Sequence, residues 1–207
     1  MYKLLIATTN PGKLNEIKRF LSDLPIELVS LKDVGVTDIV EETGKTFEEN
    51  AILKAKFYAQ KSGLPTLADD GGFEIDALGG EPGVRSHRWI HGDREDTDEE
   101  LIAYTFEKTK GLPRAKRGAQ LRAVLALVLP NGEIHTVTDA TTGIIPDKPS
   151  DERVPGFPYR SILFIPQIGK YYNHDLLTPE EMDTYNHRKR ALDRLKPYIS
   201  AFFTTTK

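Results

Sequence analysis

Five sets of residues have types and spacing that suit chemistry on phosphates and nucleotides. Thr8-Thr9-Asn10-Pro11-Gly12-Lys13 stands between an apolar run and a helical pattern. A turn there presents unpaired backbone N–H groups and the positive end of a helix dipole, and Lys13 adds a full charge. The same residues also read as a plain strand-to-helix turn with a solvated lysine. The acidic set Glu41, Glu42, Asp69 and Asp70 offers hard oxygen donors of the kind magnesium prefers, with a carboxylate left to orient or deprotonate water. Its bland alternative is a group of surface turn residues. Lys54 lies among Ala51, Leu53 and Ala55 on a helical pattern and either reaches a phosphate or is solvated. Phe157, in Gly156-Phe157-Pro158-Tyr159, is able to stack on a purine or to pack a loop. His187-Arg188 opens the basic run His187-Arg-Lys-Arg190, suited to planar contacts with carbonyl or phosphate oxygens or to a solvated helix face.

Composition limits the other options. The 207 residues are 39% hydrophobic and 29% charged, which fits an ordinary folded chain long enough for a sizeable core. A net charge of -3 gives no bulk attraction to nucleic acid. Without cysteine, any metal must sit on oxygen or imidazole. The apolar run at the N-terminus is too short for a signal segment or a membrane span. Gly44-Lys45-Thr46 ends like a Walker phosphate loop, but Ile39 stands where its first glycine belongs. His91, His135 and His174 lack metal-ligand spacing.

The elements that must position these residues alternate in type. Strands are predicted at 3–8, 26–30, 64–68 and 162–166, the third ending at the Asp69-Asp70 pair. Helices are predicted at 13–21, 46–61, 97–109 and 187–198, with Thr46 and Glu49 forming a capping box and Thr178 starting a further helix ahead of Pro179. Segments 119–129 and 133–139 flank Pro130-Asn131-Gly132 as a hairpin, and 71–93 is a Gly- and Pro-rich loop region. The pattern predicts an α/β protein: one elongated domain of two lobes over residues 1–207, with a central mixed sheet flanked by helices and an active-site cleft between the lobes.

Together these segments resemble the inosine/xanthosine triphosphate pyrophosphatase family. The likeness rests on ATTNPGKLNEIK (7–18), EETGKTFEENAILKAKFYA (41–59), LADDGGFEIDALGGEPGVRSHR (67–88), GFPY (156–159) and NHRKRAL (186–192). It implies a homodimer that cleaves non-standard purine triphosphates (dITP, ITP, XTP) to monophosphate and pyrophosphate with Mg2+; the cysteine-free composition fits the cytoplasm, and charge and hydropathy point to no nucleic-acid or membrane partner. It further implies that Thr8, Asn10, Lys13, Lys54 and the backbone of Gly71 bind the triphosphate. Glu42 and Asp70 would hold the metal, with Asp70 also the catalytic base. Phe157, Tyr159, Arg160, His187 and Arg188 would form the base site. The chain departs from the family pattern at four places. Gly71 replaces a serine, Arg160 an aspartate, Met182 a lysine and Asn186 a serine. One expectation is that Arg160 takes over part of the lost lysine's role. Two alternatives stay open: a pyrophosphatase with another base preference, and a nucleotide binder without catalysis.

Overall fold

In the computed structural model, residues 2–173 and 175–205 are described, so His174 lies outside the described residues. The elements run β1 (Lys3–Ala7), α1 (Pro11–Phe20), β2 (Glu27–Ser30), α2 (Phe47–Ser62), β3 (Thr66–Ile75), α3 (Asp98–Lys108), β4 (Gly118–Val128), β5 (Ile134–Ile144), β6 (Phe164–Ile165), β7 (Lys170–Tyr171), α4 (Pro179–Tyr185) and α5 (His187–Thr205). All seven strands share one sheet in the order β2-β1-β3-β4-β5-β6-β7. Pairing is parallel for β1 with β2 and β3, and antiparallel for β5 with β6 and β6 with β7. The predicted mixed α/β sheet is thus present.

The chain forms two compact units. The first takes the N-terminal segment through Asp70, Ala123–Asp139 and the chain from Arg188 onward. The second takes Gly71–Arg122 and Ala140–His187.

In the first unit β1, β2 and β3 are joined by α1 and α2, which makes two parallel crossovers. Such strands are covered on both faces and read as unbroken apolar runs, as KLLIA does. Leu5, Ala7 and Ala68 pack with Phe47, Ala51, Ala55 and Tyr58 of α2 in one core. Leu4, Ile6 and Leu67 point the other way and are equally buried. The helix ends follow local rules. Asn10 caps α1, accepting from the Lys13 N–H at 3.0 Å, and Pro11 fills the first turn. Thr46 and Glu49 form the expected capping box on α2, which stops at left-handed Gly63. Helix α5 continues to Thr205, past the predicted end near 198. Pro197 removes one helical hydrogen bond, yet Ile199 and Phe203 beyond it are buried, and that burial holds the helix on.

The second unit packs Phe73 and Ile75 of β3 against Leu101 and Ile102 of α3, with Tyr159, Ile162, Leu163, Ile165 and Tyr172. Two expectations needed correction here. Strand β3 does not end at the aspartates but continues through both glycines to Ile75. The segment expected as a strand at 162–166 is preceded by a 3-10 helix over Pro158–Ser161, and only Phe164–Ile165 within it is paired.

Gly72 shows why β3 can continue. A Cβ at that position would lie 2.1 Å from Ser86 Oγ and 2.8 Å from the Gly83 carbonyl oxygen. Ser86 Oγ accepts from the Phe73 N–H at 2.8 Å, so glycine admits the loop that pins the strand. Gly72→Ala is expected to destabilise the protein by about 1–3 kcal/mol through this overlap. A thermal melt indistinguishable from the parent would refute it.

Candidate active site

The acidic pair sits where β3 leaves the first unit. Consecutive strand residues face opposite sides of a sheet, so Asp69 and Asp70 are sorted to different neighbours. Asp70 shares the face of Ala68, which packs on α2, and there it meets Lys54 Nζ at 2.7 Å. Lys54 also donates to Glu42 Oε2 at 3.1 Å. The Glu42 loop is fixed to the same helix. Gly44 N–H donates to Asn50 Oδ1 at 2.7 Å, and Asn50 and Lys54 lie one turn apart on one face of α2.

Asp69 faces the other side, toward α1 and α5. Lys13 Nζ lies 2.6 Å from its Oδ1, and Arg188 Nε donates to Oδ2 at 2.8 Å. The Lys13 contact is ionic rather than an aligned hydrogen bond, since Oδ1 has no geometrically satisfactory donor. Arg188 Nη1 donates to Glu16, itself buried. Glu16 was not foreseen; its signal was its place three residues after Lys13, on the same face of α1. Two lysines, one arginine and four carboxylates therefore interlock within the first unit.

The neighbouring aspartates are driven apart electrostatically. Burial pushes Asp69 toward its neutral acid, but the Arg188 and Lys13 cations outweigh this and hold its carboxyl far below the usual carboxylate range. At Asp70 burial wins. Helped by the Glu42 charge, it raises the carboxyl to about 6 against the pull of Lys54 and Lys13. Burial also presses Lys54 toward neutrality, yet Asp70 and Glu42 keep its pKa above the ordinary lysine value. Two adjacent carboxyls with opposite shifts form the kind of pair from which acid and base roles are assigned.

Of the other expected phosphate contacts, Thr8 Oγ1 accepts from the Asn10 N–H at 3.2 Å, and Asn10 caps α1 as described. Both side chains shape the turn in front of Lys13. Gly71 follows Asp70 directly in β3.

The expected base residues mostly fall in the second unit. Tyr159 is core: it stacks on Phe73 with ring centroids 4.6 Å apart and donates to the Ser86 carbonyl at 2.7 Å, and burial holds its phenol far above the usual range. Phe157 is half-buried, with the Arg160 guanidinium over its ring. His187 is buried, its Nδ1 3.0 Å from the Tyr172 hydroxyl and 3.3 Å from Thr141 Oγ1. Thr141 spends its proton on the Tyr185 carbonyl, so it meets His187 as an acceptor. Asn186 Nδ2 reaches Met182 Sδ at 3.1 Å. Arg188, expected at the purine edge, is placed against Asp69 and Glu16 in the first unit.

Two of the remaining histidines are described. His91, Asp96 and Glu100 lie close enough together to offer three ligand atoms. Arg94 is already there, 3.0 Å from Glu100 and 3.1 Å from His91 Nε2. His135 rests on Tyr198 and pairs with Glu133. No helix among the described residues is long and apolar enough to cross a membrane.

Fold and site together define a class: an α/β protein whose parallel strands end in interlocked lysines and carboxylates, the equipment of phosphate and metal-ion chemistry. The Ham1 family model matches residues 4–198, and the chain belongs to the Ham1 family. A dITP/XTP pyrophosphatase of Thermus thermophilus is 41% identical over 193 residues, 93% of this chain and 89% of that protein. One of Bacillus subtilis is 38% identical over 201 residues, 97% of this chain and 98% of that protein. The structure of a HAM1 protein from Coxiella burnetii superposes with a TM-score of 0.83 at 33% identity, covering 97% of this chain and all of that one.

Proposed function

We propose that this protein hydrolyses non-standard purine nucleoside triphosphates (dITP, ITP and XTP) to the monophosphate and pyrophosphate, clearing them from the nucleotide pool. The observation that carries this reading is the interleaving of Lys13 and Lys54 with Asp69, Asp70 and Glu42. The end-to-end likeness to proteins named dITP/XTP pyrophosphatase supports the choice of substrate. Lys13, behind the Thr8–Asn10 turn, and Lys54 neutralise the triphosphate. Gly71 offers its backbone to the phosphates. Asp70, whose carboxyl is poised near neutral pH, takes the proton from the attacking water. Phe157 stacks on the base, with Arg160 beneath the ring and His187 and Arg188 toward the purine edge.

The donor set fits a magnesium ion. Glu42 and Asp70 present hard oxygens that converge on one cation, the Lys54 ammonium, so their shared position already demands positive charge. When bound there, the ion supplies charge neutralisation at the phosphates. A homodimer, implied by the resemblance, and a cytoplasmic location belong to the same proposal.

Release of pyrophosphate from dITP and XTP in the presence of Mg2+, by the purified protein, tests the activity. A second measurement tests the ligand. Because the Asp70 carboxyl titrates at about 6, protons compete with the metal below that pH. Mg2+ affinity of the nucleotide-free protein is expected to rise about fivefold between pH 5 and 6 and to flatten above about 6.5. A titration calorimetry series flat across this range removes Asp70 from the ligand set.

A further inference from the structure

The second unit buries a cation beneath the ring proposed to receive the base. Arg160 is 2% exposed, and its Cζ lies 4.1 Å from the Phe157 ring centroid and 5.4 Å from that of Tyr172. Local geometry puts it there. Phe157 caps the 3-10 helix at Pro158–Ser161, the Arg160 N–H donates to the Phe157 carbonyl at 3.1 Å, and in a 3-10 turn residues three apart eclipse. The guanidinium therefore lies on the ring as a consequence of the backbone. Tyr172, the other aromatic against it, reaches His187 through its hydroxyl, so Arg160, Phe157, Tyr172 and His187 form one contiguous packed set.

We propose that Arg160 sets the base preference of this chain toward xanthine, acting as a positioning and specificity residue through the Phe157 ring. This rests on the reading that Phe157 stacks on the base. A guanidinium carries five donors, no acceptor and a permanent positive charge. With one face of the Phe157 ring covered by that charge, a base stacked on the other face feels a cation roughly 7–8 Å away across the ring. Among purines the cation favours the one richest in acceptors and readiest to carry negative charge. Xanthine has keto oxygens at both C2 and C6, and it loses a ring proton more easily than hypoxanthine because the charge spreads over both. Hypoxanthine lacks the 2-keto group, and guanine has an amino donor in its place. The expected order is XTP, then ITP and dITP, then GTP.

The test measures kcat/KM for XTP, ITP and GTP with Mg2+ in the parent, Arg160→Met, Arg160→Lys and Phe157→Leu proteins, each checked by thermal melting. The parent is expected to prefer XTP to ITP. Arg160→Met should lower the XTP-to-ITP ratio about tenfold, mainly through KM, while Arg160→Lys, which keeps the charge, retains most of it. A purely structural role would depress all three substrates alike. An unchanged ratio in Arg160→Met, with Phe157→Leu raising KM for every nucleotide, overturns the role of Arg160 and leaves the base site standing. Unchanged KM values in Phe157→Leu overturn the base site and this inference with it. Should Arg160→Met fail to fold, the parent decides: XTP hydrolysed no better than ITP overturns the proposal.

Discussion

Asp69→Asn is expected to lower the free energy of unfolding by about 3–5 kcal/mol. The side chain is wholly buried and its two oxygens face Lys13 and Arg188, which are themselves 13% and 4% exposed. A neutral amide leaves both cations in the interior with Glu16 as the remaining carboxylate of that group. Breaking a buried pair from one side costs far more than the pair contributes, because the charge left behind is no longer compensated. The sign with pH follows from the depressed pKa. The contribution of Asp69 is complete above the ordinary carboxylate value and is lost only as the solution becomes strongly acidic. Urea unfolding at neutral pH should therefore show the full deficit. A loss below about 1 kcal/mol would mean that the cations find other partners.

The same substitution one residue later is expected to do the opposite. Asp70→Asn should cut pyrophosphate release by a factor of about a thousand or more while leaving thermal stability at neutral pH unchanged or improved. Asp70 has a raised pKa, so its contribution to stability is complete below the ordinary carboxylate value and is lost as pH rises through about 6. At neutral pH the folded protein therefore holds an ionised group that it would rather have neutral, and asparagine removes that cost. Lys54 keeps Glu42 as a partner at 3.1 Å. Pyrophosphate release and melting, measured on both asparagine variants, give a crossed result: one stable and inactive, the other unstable. Full activity in Asp70→Asn would remove the general base from the mechanism.

How much of this was legible in the sequence depends on the range of the interaction. The caps on α2 and α4 were readable because Thr46 and Thr178 meet their partners within one turn, at Glu49 and Glu181. The strand-turn-helix at Thr8–Lys13 and the hairpin at Pro130–Gly132 were readable for the same reason; there Leu129 N–H donates to the Glu133 carbonyl at 2.9 Å. The length of β3 was misread because Gly71-Gly72 looks like a strand end, and only Ser86, distant in sequence, shows that the glycine makes room instead. The base role of Arg188 came with the family resemblance; its contacts with Asp69 and Glu16, more than a hundred residues away, were not legible in the local sequence. Tyr159 looked like part of a binding loop, but its stacking on Phe73 depends on a core that local spacing does not reveal. Lys54 was singled out for its apolar neighbours Ala51, Leu53 and Ala55, although a solvated lysine was the simpler reading; its carboxylate partners are distant in sequence and were not foreseen as such.

The opposite orientation of Asp69 and Asp70 in β3 constrains the chain in a way that single substitutions do not reveal. Leu67 and Ala68 serve as apolar filler, and other side chains of similar bulk can do their work. The number of residues between the β1 pairing at Thr66 and the acidic pair is another matter. Deleting or inserting one residue there would exchange the surroundings of the two carboxylates, giving the catalytic candidate the Lys13 and Arg188 cations and the structural anion the buried Lys54 of α2. Natural variation in this stretch should therefore change its letters freely and its length hardly at all.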